Sequence, residues 1–308
     1  MNKGSGWRGN ILALLFLSTL VLAVSASAAE QRPRILSFEP LVAIQERSPP
    51  EFVRLKRDEN QQPIAMQVAV VRFTPRNSRL SLQYVDLITA VHIGEHDYYQ
   101  IINTLFTHYD AVLYELVAPE GTRIPNGERE HKNIISSLQS WMRKLLGMSM
   151  QLEEVDYTAP NLVHADLSGD EFRQSMAKRN ESVAGMIGKA WVAGMGKQYS
   201  TEALLSEARL IKGLLSGDRR LALKNFMAEQ MVQGMNLGTA IEGKEGSTLV
   251  AERNKKTLKV LRRQIEAGKQ KLAIFYGAAH MQDMSRRLMA EFELVPTQIA
   301  WIDAWKLN

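Results

Sequence analysis

Residues 87–106 read "LITAVHIGEHDYYQIINTLF", and residues 272–292 read "LAIFYGAAHMQDMSRRLMAEF". The two stretches share a layout. An apolar, strand-like run ends in small residues, a histidine follows (His92 or His280), and an amphipathic helical stripe begins within a few positions. Tyr98, Ile101, Ile102, Leu105 and Phe106 form the first stripe; Met284, Leu288 and Phe292 form the second. An acid lies near each helix start, Asp97 or Asp283, where it complements the helix dipole. Residues 110–117, "DAVLYELV", then read as a short buried strand. Strand, helix, strand implies parallel pairing with the helix on one face. In an open α/β sheet, ligands sit just beyond the carboxyl ends of the strands, and both histidines fall on that edge. The fold class expected is α/β: a central mixed β-sheet built from two related strand–His–helix units.

Further elements extend this core. "MQVAVVRF" (66–73) reads as a strand, residues 154–165 as a loop, and 133–146 as a helix. Residues 169–246 are helix-like and rich in methionine, an inserted helical region whose methionines fill a core. Thr201 to Leu215 is a helix ended by Gly217, and Thr248 to Ala267 one closed by Gly268. Strands follow at 272–276 and 295–305, with a helix over 281–292 between them.

Residues 1–29 carry the marks of a secretory signal: Lys3 and Arg8, an apolar run from Ile11 to Val24, and small residues at Ala26 and Ala28. The run is short against the roughly 20 residues of a membrane span. The organisation expected is a signal over 1–29, an N-terminal arm over 30–65, and an α/β domain over 66–308. The product is exported, periplasmic or secreted, with no stable membrane span after cleavage. There is no cysteine, which excludes disulfides and thiol chemistry. The formal charge is +5, and loss of Lys3 and Arg8 leaves a mild +3. The densest basic stretch, "RNKKTLKVLRR" (253–263), is interrupted by Leu258 and Leu261 at helical spacing. That describes a solvated helix face and no nucleic-acid partner.

His92 to His96 also spells H-x-x-E-H, a zinc-protease string that needs both histidines on one face of one helix. Gly94 sits inside it, and glycine costs about 1 kcal/mol in a helix interior. A strand-to-helix turn is the better reading, with His92 chemical and His96 an exposed helix-start residue. The zinc-protease alternative would enlist Glu171 as a further carboxylate. Glu115, inside "VLYELV", is either an outward-facing strand residue or a buried carboxylate that needs a partner. Two imidazoles and a carboxylate, His92, His280 and Glu115, make a donor set suited to zinc, manganese, iron or cobalt. Asp166 either sits near the cleft or caps the following helix.

Taken together, Gly277-Ala278-Ala279-His280, Glu115 in "VLYELV", Arg253 in "ERN" and Thr89-Ala90-Val91-His92 resemble the motifs of the TraB/TIKI (GumN-like) superfamily. Thr89 stands where that family usually has glycine. The resemblance spans roughly 66–308. It implies that His92, Glu115 and His280 hold a divalent metal (manganese, cobalt or zinc) or activate water. It implies that Arg253 meets a substrate carbonyl or carboxylate and that Gly277 supports the turn. An exported metal-dependent hydrolase of a peptide or protein substrate is the expectation. The alternative is a peptide- or haem-binding protein of the same fold without turnover.

Overall fold

A computed structural model describes residues 38–43, 50–77, 81–119, 146–179, 181, 201–241 and 248–308. The expected signal segment and most of the helix expected over 133–146 lie outside the described residues.

The central strands are β3 (Pro63–Pro75), β4 (Tyr84–Ala90), β6 (Ala111–Tyr114), β8 (Leu162–His164), β9 (Lys271–Gly277) and β10 (Leu294–Lys306). With β1 (Phe38–Ala43) and β2 (Val53–Arg57) they form one eight-stranded mixed sheet in the order β1-β10-β3-β4-β9-β6-β8, with β2 also paired to β3. Strands β4, β9, β6 and β8 are mutually parallel. The rest pair antiparallel. A two-stranded ladder, β5 (Ile93–Gly94) with β7 (Ser149–Met150), stands apart.

The helices are α1 (His96–Phe106), α2 (Gln151–Glu154), α3 (Gly169–Lys178), α4 (Thr201–Ser216), α5 (Arg219–Ile241), α6 (Arg253–Glu266) and α7 (Ala278–Glu291). A π-helical turn, Thr248–Glu252, leads into α6.

Near-continuous apolar strands are the mark of a sheet covered on both faces. Ile88 and Ala90 of β4 and Phe275 of β9 face one core, with Tyr98, Tyr99, Ile102 and Phe106 of α1. Val85 and Leu87 of β4 and Ile274 of β9 face the other, with Leu258 and Leu261 of α6 and Met281, Met284 and Leu288 of α7. Each such buried side chain contributes about 1.5–3 kcal/mol. Met227 and Met231 of α5 pack on the first core, as gap-filling methionines do.

Three expectations change. The loop expected over 154–165 contains β8, too short for its period to register but paired with β6 from Val112↔Leu162 to Tyr114↔His164. Strands β4 and β6 are parallel but not neighbours, because β9 lies between them. Finally, the H-x-x-E-H string does not sit on one helix. His92 lies in a bend between β4 and β5, and α1 begins at His96.

Candidate functional site

The parallel strands end together. Ala90 of β4 pairs Gly277 of β9, and Tyr114 of β6 pairs both Phe275 of β9 and His164 of β8. Four side chains converge beyond this edge. Glu115 is the first residue after β6, Asp166 follows β8 by two, His280 is the third residue of α7, and Arg253 is the first of α6. Glu115 therefore leaves the strand rather than sitting inside it, which lifts its carboxylate clear of the packed faces.

Arg253 is the hub. Its Nε donates to Asp166 Oδ1 at 2.9 Å and its Nη2 to Asp166 Oδ2 at 2.6 Å. Nη2 also donates to Glu115 Oε1 at 2.6 Å, and Nη1 lies 3.3 Å from His280 Nε2. The planar fork of guanidinium donors makes this shared clamp possible. Asp166 is completely committed, since Oδ1 also takes the Leu167 N–H. It does not cap α3: Ser168 does, in a capping box with Glu171, whose other oxygen holds Lys256.

Gly277 contributes through its backbone. Its N–H donates to Glu115 Oε2 at 2.7 Å. A Cβ there would stand 3.1 Å from that oxygen. With φ −56°, the glycine is needed for close approach, not for an unusual backbone conformation.

His280 has a defined tautomer. Asn254 Nδ2 donates to Asp283 Oδ2 at 2.9 Å and to the His280 carbonyl at 3.2 Å. The amide oxygen therefore faces His280 Nδ1 at 2.7 Å, so Nδ1 carries the proton. The lone pair of Nε2 points at Arg253 and lies 3.6 Å from Glu115 Oε1. His92 repeats the device. Gln151 donates its amide N–H to the Tyr157 hydroxyl and presents Oε1 to His92 Nδ1 at 3.1 Å. Unlike His280, His92 is exposed. Among the described residues its ring meets Gln151 and no member of the cluster, although its charge is felt at Glu115.

Burial works against ionisation of Glu115, but His280, Arg253 and the Gly277 N–H outweigh it and hold the carboxyl at about 2. Burial pushes His280 down to about 4, helped by Arg253 against the pull of Glu115. Arg253 is raised, its burial more than offset by Asp166 and Glu115. At neutral pH two carboxylates face one guanidinium and a neutral imidazole, an excess of one negative charge.

Glu115 Oε1 and His280 Nε2 have the chemistry of metal donors, but as folded they do not fit an ion. The Arg253 guanidinium already bridges both, and His92 is tied elsewhere. Among the described residues no group of three or more His, Cys, Asp or Glu side chains is arranged to hold a metal.

Sequence patterns had picked out Glu115, Arg253, His280 and Gly277, and the fold brings these together. They gave Asp166 only as an alternative and did not single out Asn254, Gln151 or Tyr157. The available signal was Asn254 beside Arg253 and one turn before Thr257, all three buried at the start of α6. Comparison of the chain with known protein families, curated proteins and solved structures returns no match.

Proposed function

We propose that this chain is an exported hydrolase of peptides or related carbonyl compounds. The supporting observation is the meeting of Glu115, Asp166, Arg253 and His280, from four separate segments, at the carboxyl edge of the parallel strands. In this reading the two strand–His–helix units supply His92 and His280, and the Met-rich helical region is an insertion that packs beside them.

The chain's residues would act as follows. Neutral His280 accepts a proton from an attacking water at Nε2, its Nδ1–H held by Asn254. The long Nη1 contact of Arg253 yields to a substrate oxygen and stabilises the charge that develops there. Asp166 keeps the guanidinium in plane, and Glu115 orients it from the other side. His92, exposed at the rim, meets the incoming chain. No step here passes through a metal; a metal requirement follows from the family resemblance alone, with Glu115 and His280 as its donors.

A second reading is a binding protein without turnover. The observation favouring it is that Arg253 is already saturated by two carboxylates. The experiment is a hydrolysis screen of the purified protein on peptide and ester libraries, with and without chelator, beside His280→Gln. Turnover lost in His280→Gln supports the hydrolase, and loss on chelation adds the metal. Stoichiometric peptide capture or a Soret band, with no turnover, selects the binding protein.

A further inference from the structure

A second pocket lies outside the Glu115 cluster and shares no residue with it. It is a cavity of about 420 Å³ between α4, α5, the turn joining β2 to β3, and the last residues of the chain. Three polar atoms on its walls are buried without a hydrogen-bond donor or acceptor in line: Ser206 Oγ, Asn225 Oδ1 and Glu229 Oε1. Ser206 is 1% exposed and Glu229 4%. Buried polar atoms ordinarily have partners, so three orphans on one cavity ask for an occupant.

The chemistry of the occupant follows from what each atom lacks. Both amide hydrogens of Asn225 are in use, on the carbonyls of Leu221 and Leu307, so only its oxygen is open, and it can only accept. Arg209 Nη2 lies 2.9 Å from Glu229 Oε1, but its hydrogen bond runs to Oε2 at 3.0 Å, which leaves Oε1 also wanting a donor. Ser206 can accept as well. The occupant must therefore bring several donors. The walls carry Asp58, Asp218 and Glu229 against Arg209 and Lys212, an excess of one negative charge. Leu210 and Phe226 add apolar surface. An ammonium group has three N–H donors and no acceptor, and it matches the charge.

We infer that this cavity binds a small primary amine. The ammonium meets Ser206, Asn225 and Glu229, and a short alkyl part lies along Leu210 and Phe226.

Calorimetric titration with butylammonium, 1-butanol and butyrate tests this on the full chain. Butylammonium binds, with butanol and butyrate at least about tenfold weaker, as the loss of one hydrogen bond to a charged group requires. Ser206→Ala and Asn225→Leu each weaken butylammonium about tenfold. Asn225→Leu also frees two carbonyls, so Ser206→Ala, which disturbs no other contact, is the deciding variant. Equal binding of amine and alcohol, no amine binding, or unchanged affinity in Ser206→Ala overturns the assignment and leaves a cavity filled by water. Peptide hydrolysis has no part in the readout, so this site and the Glu115 cluster stand or fall separately.

Discussion

Asn254 Oδ1 lies 2.7 Å from Nδ1 of His280, and this one contact decides which ring nitrogen keeps its proton. Asp283 anchors the amide so that its oxygen, not its nitrogen, faces the ring. In ¹⁵N-histidine NMR the wild-type ring should show a protonated Nδ1 and a bare Nε2. Asn254→Leu should release the ring toward the other tautomer and lower stability by about 1–3 kcal/mol, the range for an unpartnered buried polar group. A protonated Nε2 in the wild type at neutral pH would contradict the assignment.

Acid should unfold the protein in two overlapping stages. His280 sits near 4 in the fold against 6.5 unfolded, so the unfolded chain binds more protons as pH falls. Stability should drop between about pH 6.5 and 4. Glu115, held at about 2 against 4.5, adds a further loss as pH falls from about 4.5 toward 2. Urea midpoints measured against pH should show both limbs, and His280→Phe should flatten the first.

Arg253→Met should cost about 3–5 kcal/mol, because it strands Glu115 and Asp166 as buried carboxylates. Combining it with Asp166→Asn and Glu115→Gln should recover a large part of that loss. Equilibrium denaturation of the single and triple variants measures the recovery; none would mean that the guanidinium is not neutralising the pair.

Gly277→Ala should displace the Glu115 carboxylate. The added methyl lies 3.1 Å from Oε2, and Arg253 holds the same carboxylate from its other oxygen. An overpacking loss of about 1–3 kcal/mol is expected, with activity falling alongside. Ala279→Ser, at an exposed neighbouring position, is the control.

Thr89→Val should be neutral or stabilising by up to about 1 kcal/mol. The Thr89 hydroxyl is fully buried without a partner, and valine has the same shape. Thermal melting decides it; a clear drop would reveal a partner for the hydroxyl.

The sequence made the parallel half of this fold legible because β4, β9 and the helices after them are long enough to show their period. It hid β8, three residues whose strand character exists only through pairing with β6. It hid the strand order too, since nothing local says that residues 271–277 enter between β4 and β6. At the site, glutamate, arginine and histidine were visible as chemical types. Asp166 and Asn254 were not, because their roles come from what they touch across 87 and 26 residues of chain. The likeness of the two histidine units is also looser in space than on paper. His280 is inside its helix, and His92 stops four residues short of its own.

The seat of β9 has a consequence for biosynthesis. The middle of the parallel sheet, and both Arg253 and His280, come from the final 60 or so residues to leave the ribosome. Until then β4 and β6 have no strand to join them, and their apolar faces wait uncovered. A nascent or prematurely stopped chain thus lacks a closed core and half its polar cluster at once, which makes a shortened product a target for proteases, not a weakened version of the protein.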